Sequence, residues 1–238
     1  MELRVKPRDF TAALLFVILT LVTAHIAGQL VFFNTGKFAL LAKAFDLDQE
    51  KNFPTYFASV ILLFSALLLL IIAAINRQSG DRWRHYWLAL ALIFFFMSID
   101  ELVAFHDHIN QIVKELLPFA GKLHFAWVIP YLAGAGLLLF WYTRFLFSLP
   151  FQTRLLFLTA GLLYVSGAAG MEIISGQYFA CIGGIQKNFT YSMLTAVEET
   201  LEMVGIALFI YALMHYIDVE FHDLCLRVTS QPQHVITT

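Results

Sequence analysis

Hydrophobic residues along the chain are grouped into six long stretches, which short polar segments separate. The stretches occupy approximately residues 10–33, 56–76, 86–109, 126–148, 154–176 and 192–216. A helix needs about 20 predominantly apolar residues to cross the hydrocarbon layer of a membrane, and these stretches approach or exceed that length. The pattern therefore predicts an all-α fold in which residues 1–238 form a single transmembrane domain, a bundle of six helices.

The composition agrees with this prediction. Hydrophobic residues make up 60% of the chain and charged residues only 13%, which is far from the balance of a soluble domain. The net charge of −2 gives no electrostatic basis for a nucleic-acid partner. The first apolar stretch is longer than the core of a typical signal peptide, so we expect the protein to retain it as a span.

The basic residues predict how the bundle is oriented. If the N-terminus is cytoplasmic, every arginine falls on the cytoplasmic side, and the outer side receives lysines only. Because basic residues are enriched in cytoplasmic loops, we expect a multi-pass protein of the inner (plasma) membrane with both termini in the cytoplasm. Cys181 and Cys225 then lie on opposite sides and do not form a disulfide.

The segment FALLAKAFDLDQEKNFPTYF, residues 38–57, connects the first two spans on the predicted outer side. Its apolar spacing predicts a short helix that lies on the membrane surface. Asp46, Asp48 and Glu50 resemble the start of a calcium-binding loop, but the glycine and the terminal glutamate of that motif are missing. We interpret these acids as a solvated helix end before Pro54.

Acidic residues also occur within the predicted spans, where each one costs about 2.5–3.5 kcal/mol on insertion scales. The stretch MSIDELVAFHDHI ends the third span. On a continuous helix, one arc of about 120° carries five polar residues from this region, while His106 points the other way. The five residues are Asp100, Glu101, Asp107, His108 and Gln111.

Three other spans carry ionisable residues at the same predicted depth. They are His25 on the first span, Glu172 on the fifth, and Glu198, Glu199 and Glu202 on the sixth. Small residues at positions 166–170 precede Glu172 and allow a neighbouring helix to pack closely. Because all of these side chains fall in the outer half, we predict one buried polar site that opens outwards. Its predicted lining residues are Asp100, Glu101, His108, Glu172, Glu198, Glu199 and Glu202, with His25 as a further candidate.

So many carboxyl groups cannot all be ionised in the membrane unless a cation compensates them or several are protonated. Carboxylates combined with imidazole favour a divalent metal ion such as Zn, Mn or Fe. The predicted metal ligands are Glu101, His108, Glu172, Glu199 and Glu202. In an enzyme, Asp100 and Glu198 would carry protons, and the substrate would be a membrane lipid or another membrane-dissolved molecule. Glu199 and Glu202 form an E-x-x-E pattern. Helical bundles that hold two iron ions use E-x-x-H, and no predicted span contains that pattern.

Several alternatives remain open at this stage. The acids can be protonated groups that hold helices together, and His25 can be an interhelical histidine with its hydrogen bonds satisfied. Another alternative is a proton- or cation-coupled transporter, because the third helix of each three-span half carries an acid pair: Asp100–Glu101 and Glu198–Glu199. A transporter of this size would need to be a homodimer, and the inner halves of the spans offer no polar path. A non-catalytic sensor or complex subunit is the third alternative.

Three segments carry a resemblance to a known group of proteins. The combination of FDLDQEKNFPTYF, SIDELVAFHDH and VEETLEMVGIALFIYAL resembles a widespread group of uncharacterised bacterial multispan membrane proteins. The resemblance implies a fold over most of the chain and no activity. Ser98 and FHDH are only distantly similar to the zinc site of the seven-span ceramidase-like hydrolases. The serine-to-histidine spacing and the number of spans differ from that group.

Overall fold

The computed structural model describes residues 6–78, 80–116, 126–184 and 186–221. In these segments the chain forms α1 Pro7–Thr35, α2 Ala39–Ala44, α3 Phe53–Gln78, α4 Arg84–Val103, α5 Phe105–Leu116, α6 Val128–Ser148, α7 Phe151–Val165, a π-helical segment Ser166–Met171, α8 Glu172–Cys181 and α9 Phe189–Glu220. The predictions for Cys225 and for the side chains of His106, Asp107 and Gln111 lie outside the described part of the chain.

Six helical stretches in the described residues are long and apolar enough to cross a membrane. They are α1, α3, α4, α6, the continuous stretch Phe151–Cys181 and α9. The predicted all-α class and the number of spans are therefore confirmed, and the protein is a multi-pass membrane protein. The helices extend a few residues beyond most predicted spans, because polar residues at a helix end still form the hydrogen bonds of the helix.

The third predicted span is wrong beyond Val103. Helix α4 ends there because Ala104 adopts a left-handed conformation, with φ 54° and ψ 46°, and its backbone N–H donates to the Asp100 carbonyl. The chain then begins a separate helix at Phe105. The common arc predicted for Asp100 and His108 assumed one straight helix, so it does not apply across this break.

Helix α9 is the central element of the bundle. It packs against α1, α3, α7 and the π-helical segment, while α3 pairs along α4. Leucine, isoleucine and methionine side chains fill the core between α3 and α9 with almost no exposure. They are Leu62, Leu69, Ile72, Met203, Ile210 and Leu213. The described part of α9 is buried on several sides, as expected for a helix that is apolar around its circumference.

Both ends of the described chain lie on the same side of the bundle. Lys6 and Asp9 at the start of α1 line one cleft together with Gln152, His215 and Asp218. We call this end of the bundle the proximal side and the opposite end the distal side. The shared position of the two ends agrees with an even number of spans, and the cytoplasmic location of the proximal side remains a prediction.

Candidate functional site

Two glycines bring the fifth span and α9 into direct backbone contact. A Cβ atom on Gly167 would lie 2.7 Å from the Glu198 carbonyl oxygen and 2.9 Å from Glu202 Cγ. A Cβ atom on Gly205 would lie 2.9 Å from the Tyr164 backbone nitrogen. The predicted close packing of a helix against residues 166–170 is therefore confirmed. Gly167 belongs to the π-helical segment, and such segments are frequent at functional sites.

This close approach places two carboxyl groups against each other. The Glu172 and Glu198 side chains are neighbours that interact electrostatically, and Glu198 is only 6% exposed. The Ser175 hydroxyl donates to Glu198 Oε2 over 3.3 Å, and Trp127 Nε1 donates to Glu172 Oε1 over 3.2 Å. Neighbouring ionised carboxylates repel each other, and a proton or a bound cation between them would relieve the repulsion.

Three more glutamates form a second group, which we call the acid cluster: Glu101, Glu199 and Glu202. Glu199 interacts electrostatically with Glu202 and Glu101, and the Tyr164 side chain lies beside them. Each of the three residues keeps part of its surface exposed. The acid cluster therefore combines side chains from α4 and α9.

Asp100 and Glu101 are adjacent in the sequence but have different neighbours. Asp100 is buried and accepts a hydrogen bond from the Tyr131 hydroxyl over 3.3 Å, whereas Glu101 belongs to the acid cluster. Tyr131 packs edge-on against Trp127 with ring centroids 4.9 Å apart. The distal end of α6 therefore supplies two neutral donors to the carboxyl groups.

His25 holds the distal side together and is not positioned as a metal ligand. Its ring is fully buried; Nδ1 accepts from the Leu47 backbone N–H over 3.0 Å, and Nε2 lies 3.1 Å from the Ser192 carbonyl oxygen. These contacts assign the proton to Nε2, which donates to Ser192. His25 thus links α1, the following loop and α9, which confirms its interpretation as a satisfied interhelical histidine.

His108 lies apart from the arc that the sequence predicted. It is exposed on α5, beyond the break at Ala104, and its Nδ1 lies 3.0 Å from the Ala104 carbonyl oxygen. Within the described ranges, no three His, Cys, Asp or Glu side chains are grouped so that they could hold a metal ion. Glu101, His108, Glu172, Glu199 and Glu202 therefore do not form one preformed coordination sphere, and metal binding remains a prediction.

The loop after α2 forms a folded cap, which sequence reasoning missed. Asp46 is buried and its Oδ1 accepts from the Asp48 backbone N–H over 3.2 Å. The Asn52 amide donates to the carbonyl oxygens of Asp46 and Lys43. The interpretation of Asp46 and Asp48 as a solvated helix end is wrong, because the loop turns inwards and packs its acids against the bundle.

Asp48 connects this cap to the start of α9. It forms an ion pair with Lys187 and accepts from the Tyr191 hydroxyl over 3.4 Å. Burial raises the pKa of Asp48 above its ordinary value even though the Lys187 ammonium lowers it. No motif spacing links residues so far apart, so the pair could not have been found from the sequence.

A layer of apolar side chains lies on the proximal side of the carboxyl groups. Met203, Ile206 and Ile210 follow the glutamates along α9, and each is at most 3% exposed. Leu69 and Ile72 of α3 belong to the same core and are fully buried. The carboxyl site is therefore separated from the proximal side by tightly packed hydrocarbon.

The chain belongs to the family described as a domain of unknown function, DUF8692, which matches residues 12–216. The match begins within α1 and ends within α9, so it includes all six spans and every carboxyl group of the site. No curated protein and no solved structure has a significant match to the chain. Membership of a family covering most of the chain agrees with the resemblance described above, and it assigns no activity.

Proposed function

We propose that this membrane protein binds protons at its distal carboxyl site and exchanges them for a cation that arrives from the distal side. The observation that carries the proposal is the buried Glu198 carboxyl beside Glu172, held between two helices that meet at Gly167. A carboxyl pair of this kind shares a proton and can release it when a competing positive charge approaches.

Two long stretches of the chain around the site carry no basic side chain other than histidine. Neither the chain between Arg84 and Lys114 nor that between Arg154 and Lys187 contains a lysine or an arginine. Neutral hydroxyl and indole groups of Tyr131, Ser175 and Trp127 donate to Asp100, Glu198 and Glu172, respectively. Protons and bound cations are therefore the species that can balance the charge.

The apolar layer around Met203 and Ile210 favours binding or sensing over an open transport path. An ion at the carboxyl groups would have to cross this layer to reach the proximal side. A transporter would need a second conformation that separates α9 from α3. A sensor needs only a site that exchanges its protons with the distal side.

The acid cluster favours a second candidate, a divalent-metal site that would contain Zn, Mn or Fe. Glu101, Glu199 and Glu202 supply oxygen ligands from two helices. Glu172 and His108 would have to move to complete the predicted ligand set. In a metal-dependent enzyme acting on a membrane lipid, Asp100 and Glu198 would be the groups that carry protons.

Proton release on cation binding tests the exchange. Zn²⁺ or Mn²⁺ is titrated into purified protein in weakly buffered detergent solution while a pH indicator reports protons and elemental analysis reports bound metal. We expect about one proton released for each cation bound, since ligands lose protons when a metal binds. Glu172→Gln/Glu198→Gln should abolish binding and proton release, and Glu220→Gln, at the proximal end of α9, is the control. Binding without proton release, or no binding in a folded protein, contradicts the exchange.

A further inference from the structure

A groove on the distal side lies between α2 and the first turn of α3, away from the carboxyl site. Its lining includes Leu40, Lys43, Glu50, Lys51, Phe53 and Tyr56. The groove therefore combines two ammonium groups with aliphatic and aromatic surface. It lies where the chain enters its second span, at the level of the lipid headgroups if the spans cross the membrane as proposed.

The apolar side chains on the rim of this groove are well exposed. Leu40 is 86% exposed and Phe53 is 60% exposed, while Ala42 on the other face of α2 is buried. Ala42 packs against Gly28 of α1, where an added Cβ atom would lie 3.2 Å from Ala42 Cα. Helix α2 is thus fixed to the bundle by one face and presents its leucines outwards, as expected for a helix in the membrane interface.

The loop fixes the relative positions of the two lysines. The Asn52 amide donates to the Lys43 carbonyl oxygen over 3.3 Å, which ties the end of α2 to the residue after Lys51. Lys51 itself has a left-handed backbone conformation with φ 61°. Two ammonium groups beside one apolar groove suit the phosphate of a lipid whose acyl chains lie along the groove. The two lysines outnumber Glu50, the one acid in the lining, so the groove has a net positive charge.

We propose that this groove binds one phospholipid of the distal leaflet. Its phosphate lies between Lys43 and Lys51, and its acyl chains follow Leu40, Phe53 and Tyr56 into the membrane. The bound lipid stabilises the cap, because the groove is built from the segment between α2 and α3. This site is independent of the carboxyl groups, so the outcome of its test does not depend on the proposed cation exchange.

Native mass spectrometry of the detergent-solubilised protein with added phosphatidylglycerol tests the site. We expect one tightly retained lipid in the wild type and in Lys37→Gln, a control that removes a nearby charge outside the groove. Lys43→Gln/Lys51→Gln should weaken retention on the order of tenfold. Diacylglycerol, which lacks the phosphate, should not be retained by any variant.

Circular dichroism shows whether the variants remain folded, and their exposed lysines make misfolding an unexpected result. The proposal is overturned if folded Lys43→Gln/Lys51→Gln retains the lipid as well as Lys37→Gln does. Equal retention of diacylglycerol overturns it too, because the groove would then bind apolar chains alone. A lipid-free dimer that disappears in the double variant would assign the groove to a second copy of the chain and would also overturn it.

Discussion

Glu198 is the residue on which the account of the site depends. It is buried, lies beside Glu172 and accepts a hydrogen bond from the Ser175 hydroxyl, so its environment suits a shared proton. Adjacent residues on α9 differ in this respect, because Glu199 faces the acid cluster. Glu198 and Glu199 have different neighbours because successive residues of a helix are rotated by about 100° about its axis.

Two substitutions at Glu198 should distinguish the loss of its proton from the loss of its packing contacts. Glu198→Gln keeps the size and a hydrogen-bonding group, so we expect a small change in thermal stability together with a reduced number of exchangeable protons. Glu198→Ala leaves the Glu172 carboxyl and the Ser175 hydroxyl without this partner, which costs about 1–3 kcal/mol. Thermal unfolding in detergent measures the difference, and equal stability of the two variants would argue against the buried pair.

A substitution at His25 tests whether this residue stabilises the fold or binds a cation. His25→Ala removes the acceptor of the Leu47 N–H and the donor to Ser192, so the unfolding temperature should fall markedly. Cation binding by the variant, measured below its unfolding temperature, should be unchanged. A variant of normal stability that has lost its bound cation would show instead that His25 is a ligand.

At the scale of elements, the crossing of the fifth span and α9 depends on Gly167. Gly167→Ala places a methyl group against the Glu198 backbone, so the two helices must separate. Overpacking of this kind typically costs about 1–3 kcal/mol. Gly161→Ala is the matched control, since nothing lies within 4 Å of its added Cβ atom. Thermal unfolding should distinguish the two variants, and equal stability would contradict the close crossing.

The cap is a second element with a testable ion pair. Asp48 has a raised pKa, so its effect on stability is most favourable below its ordinary pKa of 3.8 and is lost as the pH rises through the folded value. Lys187 limits this loss. Lys187→Gln should therefore lower the unfolding temperature at neutral pH. It should have little effect on the unfolding temperature at pH values where Asp48 is protonated.

A second substitution shows whether the charge is responsible. Asp48→Asn in the Lys187→Gln background removes the unpaired buried carboxylate, so stability at neutral pH should recover. Thermal unfolding of the two single variants and the double variant gives the coupling between the residues. Additive effects at neutral pH would contradict the ion pair.

The elements differ in how well their sequences predict them. The six spans follow from long apolar runs, and the small residues around Gly167 predict the close helix crossing. The end of α4 at Ala104 has no local signal, because alanine favours a continuing helix and tertiary contacts decide its left-handed conformation. The helical arc drawn through His108 failed for that reason. The Asp48–Lys187 pair joins distant loops and depends on the complete fold.

At the scale of the whole molecule, the orientation in the membrane has a direct test. Cys181 is exposed at the distal end of α8, so it should react with a membrane-impermeant maleimide added to intact cells. The experiment uses Cys225→Ser, which leaves Cys181 as the single thiol. Labelling only after the membrane is opened would place the distal side in the cytoplasm and reverse the predicted orientation.

The central claim is that Glu172 and Glu198 share a proton inside the membrane, and infrared spectroscopy of the purified protein tests it most directly. A protonated carboxyl group has a carbonyl band separate from that of a carboxylate, and this band shifts in heavy water. The account predicts such a band at neutral pH in the wild type and in Glu220→Gln, and its loss in Glu198→Gln. A neutral-pH spectrum without protonated carboxyl groups, or a band unchanged in Glu198→Gln, would contradict the account.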